Sequence, residues 1–144
     1  MTESRNKPKT SFWIIGISAL IWNLMGVFQY LSMAYMTADD LAAMPLEVQA
    51  LYENIPAWVT AAFALAVFGG ALGCILLLLR KKLATFVFII SFVSILVQMT
   101  HWLLMSKAIE VYGPGGMIMP VMVIVIGAFL VLYSREMKSQ GVLS

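Results

Sequence analysis

The third long apolar stretch of the chain carries polar residues at helical spacing, together with the only histidine. The residues Ser91, Ser94, Gln98, His101 and Met105 are separated by 3, 4, 3 and 4 positions, so they line one face of a helix. Polar groups are costly in hydrocarbon, so this face is expected to contact other helices or a wet cavity. His101 is then either a ligand contact or pH-sensitive group, or a neutral imidazole that is hydrogen-bonded to a neighbouring helix.

Catalytic chemistry finds little support in the residue pattern. A single histidine without a nearby acid, nucleophile or second metal ligand does not form a recognised catalytic constellation. The glycines at 113–116 lack both the Lys-Ser/Thr and the preceding strand that a phosphate-binding loop requires. No acid lies inside an apolar run, which argues against a proton-coupled multidrug antiporter. The sequence therefore predicts a non-enzyme without a cofactor.

Methionines suggest a minor alternative, a Cu(I)-binding protein. Soft thioethers combined with an imidazole select Cu(I), although methionine is also an ordinary filler of irregular helix packing. Six methionines map to the outer half of the predicted bundle, with His101 close in depth: Met33, Met36, Met105, Met117, Met119 and Met122. The candidate metal ligands among these residues are Met33, Met105, Met117, Met119 and His101.

Composition sets the protein class. The chain of 144 residues is 62% hydrophobic and only 11% charged, with a mean hydropathy of +0.94, whereas soluble domains are about 45–50% apolar and about 25% charged. A helix needs about 20 residues to cross a bilayer, so four crossings and short loops use the whole chain. The sequence predicts one all-α domain, a four-helix transmembrane bundle. The net charge of +2 lies in clusters beside apolar runs, which indicates a lipid bilayer rather than a nucleic acid as the partner.

The predicted crossings span residues 11–36, 57–79, 83–106 and 117–133, with a polar tail after Tyr133. The first outer loop, 37–56, is predicted to hold short amphipathic helices. Thr37 and Asp40 have the spacing of a capping box, and Pro45 suits the first position of a helix.

The distribution of charge predicts the orientation. Eight of the nine Lys and Arg residues lie on one side of the bundle: three in the N-terminal tail, three at 80–82 and two in the C-terminal tail. Lys107 lies on the other side with five of the seven acids. By the positive-inside rule, both termini are expected in the cytoplasm.

Small residues predict how the helices pack. Helix association in lipid relies on small side chains that let backbones approach. Gly69 and Gly73 form a GxxxG motif, for which we expect packing within the chain, with a homodimer or a larger membrane complex as the alternative. The predicted packing residues are Gly16 and Gly26 in the first crossing, and Ala62, Ala66, Gly69 and Gly73 in the second.

Residues of the first crossing that lie at the same membrane depth as the polar face of the third crossing extend that face. At about 1.5 Å per residue, Asn23 and Ser94 lie near mid-membrane, and Gln29, Tyr30, Gln98 and His101 lie in the outer half. We expect a neutral polar cluster that opens outward beneath the 37–56 loop. Its predicted members, which could bind a ligand, are Asn23, Gln29, Tyr30, Ser91, Ser94, Gln98 and His101.

Four segments carry a resemblance to a known family: WNLMG at 22–26, PAW at 56–58 leading to FGG at 68–70, LRK at 79–81, and EVYGPGG at 110–116. With them the chain resembles, over nearly its whole length, a family of small bacterial four-crossing membrane proteins of unsettled function. Members often carry the automatic label "sugar transporter". The resemblance implies a bacterial inner membrane, and its motifs are diagnostic of no reaction, so it assigns no site residues.

Two functions are therefore weighed for the predicted bundle. The first is a non-catalytic protein that binds a small ligand or a membrane partner through the polar cluster. The alternative is a small-solute transporter, whose solute could be a sugar. At this size a transporter is expected to act as a homo-oligomer that encloses a path.

Overall fold

The computed structural model describes residues 7–53, 55–105, 108–113, 115 and 118–144. This part of the chain is helical and contains no strand. A π-helical turn, His101–Met105, follows the fifth helix directly. The helices are α1 (Thr10–Ala34), α2 (Ala38–Ala42), α3 (Leu46–Glu53), α4 (Ala57–Leu78), α5 (Leu83–Thr100), α6 (Ala108–Tyr112) and α7 (Ile118–Ser139).

Four of these helices are long and apolar enough to cross a membrane. They are α1, α4, α5 with its π-helical turn, and α7, each with a mean hydropathy between 1.7 and 2.4 over its most apolar 18 residues. The predicted all-α, multi-pass, four-helix membrane bundle is thereby confirmed. The third crossing becomes π-helical at His101, where the prediction had a continuous helix to residue 106.

The long helices pack in a row, α1 on α4, α4 on α5, and α5 on α7. The first and last helices meet where the rings of Phe12 and Tyr133 stack, with centroids 6.4 Å apart. We call this end of the bundle, which also carries the 80–82 turn and residues 140–144, the tail end. The opposite end, which carries α2, α3 and α6, is the loop end.

Small residues on α1 and α4 lie where the backbones come closest. A Cβ on Gly16 would lie 2.6 Å from Cδ2 of Leu78, and one on Gly73 would lie 2.7 Å from the ring of Phe88. Ala62 and Ala66 are buried on the same helix. The other two predicted packing glycines also face a neighbouring helix. Gly26 of α1 faces Val67 of α4, and Gly69 of α4 faces Ser91 of α5. The GxxxG motif of α4 thus faces α5 of the same chain.

The first loop contains the two short helices that the sequence predicts. Thr37 Oγ1 accepts a hydrogen bond from the Asp40 amide, and the Asp40 carboxylate accepts one from the Thr37 amide, both at 3.1 Å. This reciprocal pair is the predicted capping box of α2. Pro45 stands directly before α3, which buries Leu51.

The last long helix extends six residues beyond Tyr133, the predicted end of the fourth crossing. Helix α7 continues to Ser139, since the segment 135–139 consists of residues that a helix tolerates well. The chain then turns at Gly141, with φ of 78°, and buries Val142 and Leu143 under the bundle. Charge in this segment favours a solvated tail, but burial of its last two apolar side chains decides the structure.

Three hydrogen bonds hold these last residues on the 80–82 turn. The Ser144 amide donates to the Arg80 carbonyl at 2.9 Å, and the Lys82 amide donates to the Ser144 carbonyl at 3.1 Å. Nε of Arg80 donates to the Val142 carbonyl at 3.0 Å. Arg80 itself has a positive φ of 60°, which is uncommon for a residue with a Cβ.

Candidate functional site

A cavity of about 730 Å³ lies between the four long helices, toward the loop end. Every described residue of its lining is uncharged, and most are apolar or glycine. Amide and hydroxyl groups are contributed by Asn23, Gln29, Ser91 and Gln98, and aromatic rings by Trp22, Tyr52, Phe63, Phe88, Phe92, Trp102 and Tyr112. Such a mainly apolar wall with a few polar groups is typical of small-molecule sites.

The cavity ends at the closely packed core of the tail end. Phe88 and Leu130 line the cavity floor and also belong to the buried cluster below it. Phe12, Leu77 and Leu143 fill that cluster, each 1% exposed or less. The cavity is therefore closed toward the tail end.

The lower polar pair, Asn23 and Ser91, meets over Gly70. A Cβ on Gly70 would lie 2.8 Å from Cγ of Asn23 and 3.5 Å from Oγ of Ser91, so only glycine leaves room for both side chains. Nδ2 of Asn23 donates to the Ala19 carbonyl at 2.8 Å and lies 3.5 Å from Sγ of Cys74. The Ser91 hydroxyl donates to the Ala66 carbonyl at 2.6 Å. The donors of this pair are thus occupied within the chain.

The acceptors of the lower pair remain available. The Asn23 carbonyl oxygen lies beside Gly70, and no described residue donates to it. The Ser91 oxygen uses its proton on Ala66 and keeps its lone pairs. The lower pair is therefore an acceptor site for a hydrogen-bond donor.

The upper polar pair, Gln29 and Gln98, lies closer to the loop end. It is separated from the lower pair by six residues on α1 and seven on α5, or about 10 Å at 1.5 Å per residue. Within the described part of the chain, neither glutamine side chain forms a hydrogen bond. Both amides can therefore donate to and accept from a molecule in the cavity.

Tyrosines from the short helices line the mouth of the cavity. Tyr52 of α3 and Tyr112 of α6 both line it, and Tyr112 stacks on Trp102 with ring centroids 6.3 Å apart. Burial raises the pKa of the Tyr112 phenol, and the nearby Tyr52 phenol raises that pKa further.

The cavity also opens sideways between α1 and α7. Met25 on α1 and Met119 on α7 both line the cavity and are 62% and 59% exposed. A residue that lines a cavity and also faces the surroundings marks an opening. Met25 is 13 residues from Phe12 and Met119 is 14 residues from Tyr133, so both lie about 20 Å above the tail-end contact of their helices.

The structure divides the predicted polar cluster. Asn23, Gln29, Ser91 and Gln98 line the cavity, whereas three other predicted members do not. Tyr30 packs edge-on against Phe63 and Phe68 of α4, with ring centroids 5.4 and 5.6 Å away. Ser94 is buried and donates to the Ile90 carbonyl of its own helix at 2.9 Å.

His101 lies outside the cavity as well. It is 7% exposed and packs edge-on against Trp58 of α4, with ring centroids 5.6 Å apart. Its Nδ1 atom is buried without a hydrogen-bond partner. Alternating steps of 3 and 4 spread the polar face over an arc of about 80°, because each residue turns the helix by about 100°. That arc is wide enough to reach both the cavity and α4.

The structure does not gather the candidate copper ligands that it describes. Met33 lines a separate pocket of about 350 Å³ beside α2 and α3, Met119 lines the central cavity, and His101 lies in neither. Met117 lies outside the described residues, as does the placement of the Met105 side chain. In the described part, no three His, Cys, Asp or Glu residues form a metal-binding group.

Sequence reasoning missed several residues that shape the cavity. Gly70 was overlooked because it lies one position off the small-residue pattern, and Tyr52 because a loop residue carries no depth signal. Trp102 and Tyr112 lie near the predicted ends of crossings, where aromatic residues are typical of a membrane interface and give no sign of a cavity. Trp22 gave a signal, as a deep tryptophan next to Asn23.

Comparisons with known proteins add no family to these observations. No protein-family model, curated protein or solved structure matches the chain. The function is therefore inferred from the cavity itself.

Proposed function

We propose that this protein is a non-catalytic integral membrane protein that binds a small uncharged molecule in the central cavity. The observation that carries the proposal is the cavity of about 730 Å³, with an uncharged described lining and two polar pairs. The Ser91 hydroxyl donates to a main-chain carbonyl rather than to a base, so it is not arranged as a nucleophile.

The volume supports an occupant. The cavity opens between α1 and α7, where Met25 and Met119 are exposed, so molecules from the surroundings can enter it. Its volume of about 730 Å³ lies within the roughly 300–1,000 Å³ of small-molecule sites. Water, lipid or a ligand therefore fills the space. Gln29 is exposed and Gln98 is half-buried, so water at the mouth can pair their amides when the occupant is apolar.

Filling the cavity with a side chain tests this proposal. Val123 is half-buried and lines the cavity, whereas Val125 on the same helix is 59% exposed and faces away. The full chain in lipid nanodiscs is expected to bind an uncharged dye such as Nile red saturably. The Val123→Trp variant should bind it at least about tenfold more weakly, as a filled site loses most dye contacts, and Val125→Trp should match the parent. Equal binding by all three would overturn the proposal.

A small-solute transporter is a second candidate, in which copies of the chain together enclose a path. The observation that favours it is the one-sided closure, with Leu77 and Leu143 sealing the tail end beneath an open cavity. Opening this seal would expose the cavity to the other side of the membrane. Uptake of a labelled hexose into proteoliposomes that depends on the protein supports the transporter, and no uptake above empty vesicles contradicts it for sugars.

We place the protein in a bacterial inner membrane, as its resemblance to the bacterial four-crossing family implies. We place both ends in the cytoplasm, because eight of its nine Lys and Arg residues belong to the two terminal segments and the 80–82 turn. Cys74 is buried and is the only cysteine, so introduced cysteines report topology cleanly. A membrane-impermeant maleimide on intact cells should label the Ala38→Cys variant and spare Ser139→Cys. The reverse pattern would contradict this orientation.

A further inference from the structure

We propose that the ligand is a long apolar molecule with one hydroxyl group, which enters from the bilayer and donates its hydroxyl proton to the lower polar pair. This inference rests on the proposed function and specifies the ligand class. Its basis is the chemistry of Asn23 and Ser91, the apolar wall and the opening between α1 and α7.

The lower polar pair selects a ligand that carries a hydrogen-bond donor. The Asn23 amide hydrogens are directed to Ala19 and Cys74, and the Ser91 proton is directed to Ala66. What faces the cavity is therefore oxygen lone pairs. A ketone, ether or ester offers only acceptors and would leave these oxygens unpaired, which costs about 1–3 kcal/mol per buried group. A hydroxyl group satisfies them.

The absence of charge and the apolar character of the described lining narrow the class of ligand further. A protonated amine also donates, but the described lining holds no carboxylate to balance its charge, and burial of an unpaired charge is costly. A sugar carries hydroxyl groups on most of its carbons, and each needs a partner when buried. The wall between the two polar pairs is formed by residues such as Phe63, Val67, Phe92 and Ile95. An alcohol with a long apolar part fits this lining best.

The opening between α1 and α7 provides the route by which the ligand enters from the bilayer. Met25 and Met119 flank it at matching depths, about 20 Å above the contact of Phe12 and Tyr133. Met25 is also nine residues below the loop-end terminus of α1, or about 13 Å inside the span. Met119 is the second residue of α7, so the opening extends up to the loop-end terminus of that helix. Its α1 side faces acyl chains, since Leu24, Met25 and Phe28 are exposed there. Methionine is flexible and suits a surface that adapts to apolar molecules.

A pair of isomers tests the donor requirement. The molecules 1-undecanol and 1-methoxydecane have the same atoms, but only the alcohol can donate a hydrogen bond. Both are titrated against bound Nile red on the full chain in nanodiscs. The alcohol is expected to displace the dye at about tenfold lower concentration, the size of one to two net hydrogen bonds. Asn23→Leu, which keeps the side-chain shape, should reduce that preference to about twofold.

Two further variants keep the test decisive. Ser91→Ala should lower the preference to an intermediate value, which provides a second reading if Asn23→Leu fails to fold. Ser18→Leu replaces an exposed polar residue on α1 outside the cavity and should behave like the parent. The quantity compared between variants is the ratio of the concentrations of the two isomers that displace the dye. Each isomer partitions into the bilayer equally for every variant, so partitioning cancels in that comparison.

The outcomes separate this inference from the proposed function. Equal displacement by alcohol and ether overturns the donor requirement but leaves a ligand-binding cavity intact. Displacement by a hexose without displacement by 1-undecanol overturns the apolar alcohol and retains an uncharged ligand. Saturable dye binding that Val123→Trp fails to weaken overturns the proposed function itself, and the ligand class with it.

Discussion

The two ends of the bundle are built from the same four helices but differ in how they are filled. At the tail end, Phe12, Leu77 and Leu143 are 1% exposed or less and leave no room for another molecule. At the loop end, the same helices surround about 730 Å³ of space with unpaired amides on its wall. We therefore propose that stability depends on one end of this short membrane protein and binding on the other.

The difference arises from which residues face one another across the row. At the tail end, Gly16 and Gly73 accept large neighbours, Leu78 and Phe88, so the helices close on each other. Val142 and Leu143, from the last residues of the chain, belong to the same buried cluster as Phe12, Phe88 and Leu130. Toward the loop end, α1 and α7 flank an opening, and the short helices cover it only with Tyr52 and Tyr112.

The largest effect is expected when a buried side chain is truncated at the tail end. Leu143→Ala removes a side chain that is 1% exposed, and such truncations cost about 2–5 kcal/mol. Leu132→Ala removes the same atoms from a position that is 63% exposed and should cost less than about 1 kcal/mol. Equilibrium unfolding in mild detergent measures both. Equal losses would mean that the last residues do not pack as a core.

The next test targets the boundary between the two ends. Gly70→Ala places a Cβ 2.8 Å from Cγ of Asn23, so the amide must move, at a cost of about 1–3 kcal/mol. Gly69→Ala meets Cβ of Ser91 at 3.3 Å and should cost less. Thermal unfolding measures the difference, and dye titration should show that only Gly70→Ala alters binding. A binding defect from Gly69→Ala alone would contradict the position of the lower pair.

A smaller effect is expected at the turn that holds the last residues. Arg80 adopts φ of 60°, which costs a residue with a Cβ about 1 kcal/mol more than glycine. Arg80→Ala and Arg80→Gly both lose the hydrogen bond to the Val142 carbonyl. The alanine variant should therefore be less stable than the glycine variant by about 1 kcal/mol, as measured by chemical unfolding. The opposite order would show that the turn relaxes when the side chain is lost.

The sequence predicted those parts of the molecule that depend on length and local spacing. Four apolar runs long enough to cross a bilayer dictate four helices, and the Thr37–Asp40 spacing dictates the capping box. The cavity was half predicted, through Asn23, Gln29, Ser91 and Gln98. Ser94 and His101 were wrongly placed in the cavity. Their spacing shows that they share one face of a helix, but it does not show what each side of that face contacts. Burial of Leu143 could not be predicted, since it depends on contacts between residues far apart in the chain.

The smallest expected effect concerns the loop end alone. Hydrogen bonds from the Thr37 backbone and side chain lower the pKa of the Asp40 carboxyl below 3.8. Because the folded-state pKa is depressed, the capping interaction is fully present above pH 3.8 and is lost as the pH falls through the lowered value. Thr37→Ala removes the side-chain half of the box at all pH values, because only the backbone amide of residue 37 is left to bond Asp40. Amide hydrogen exchange should therefore become faster in α2 both in this variant and in the parent at low pH, while the amides of Val142 and Leu143 at the tail end keep their protection. Faster exchange at both ends would show that the two ends are coupled, and the division of labour between them would then have to be abandoned.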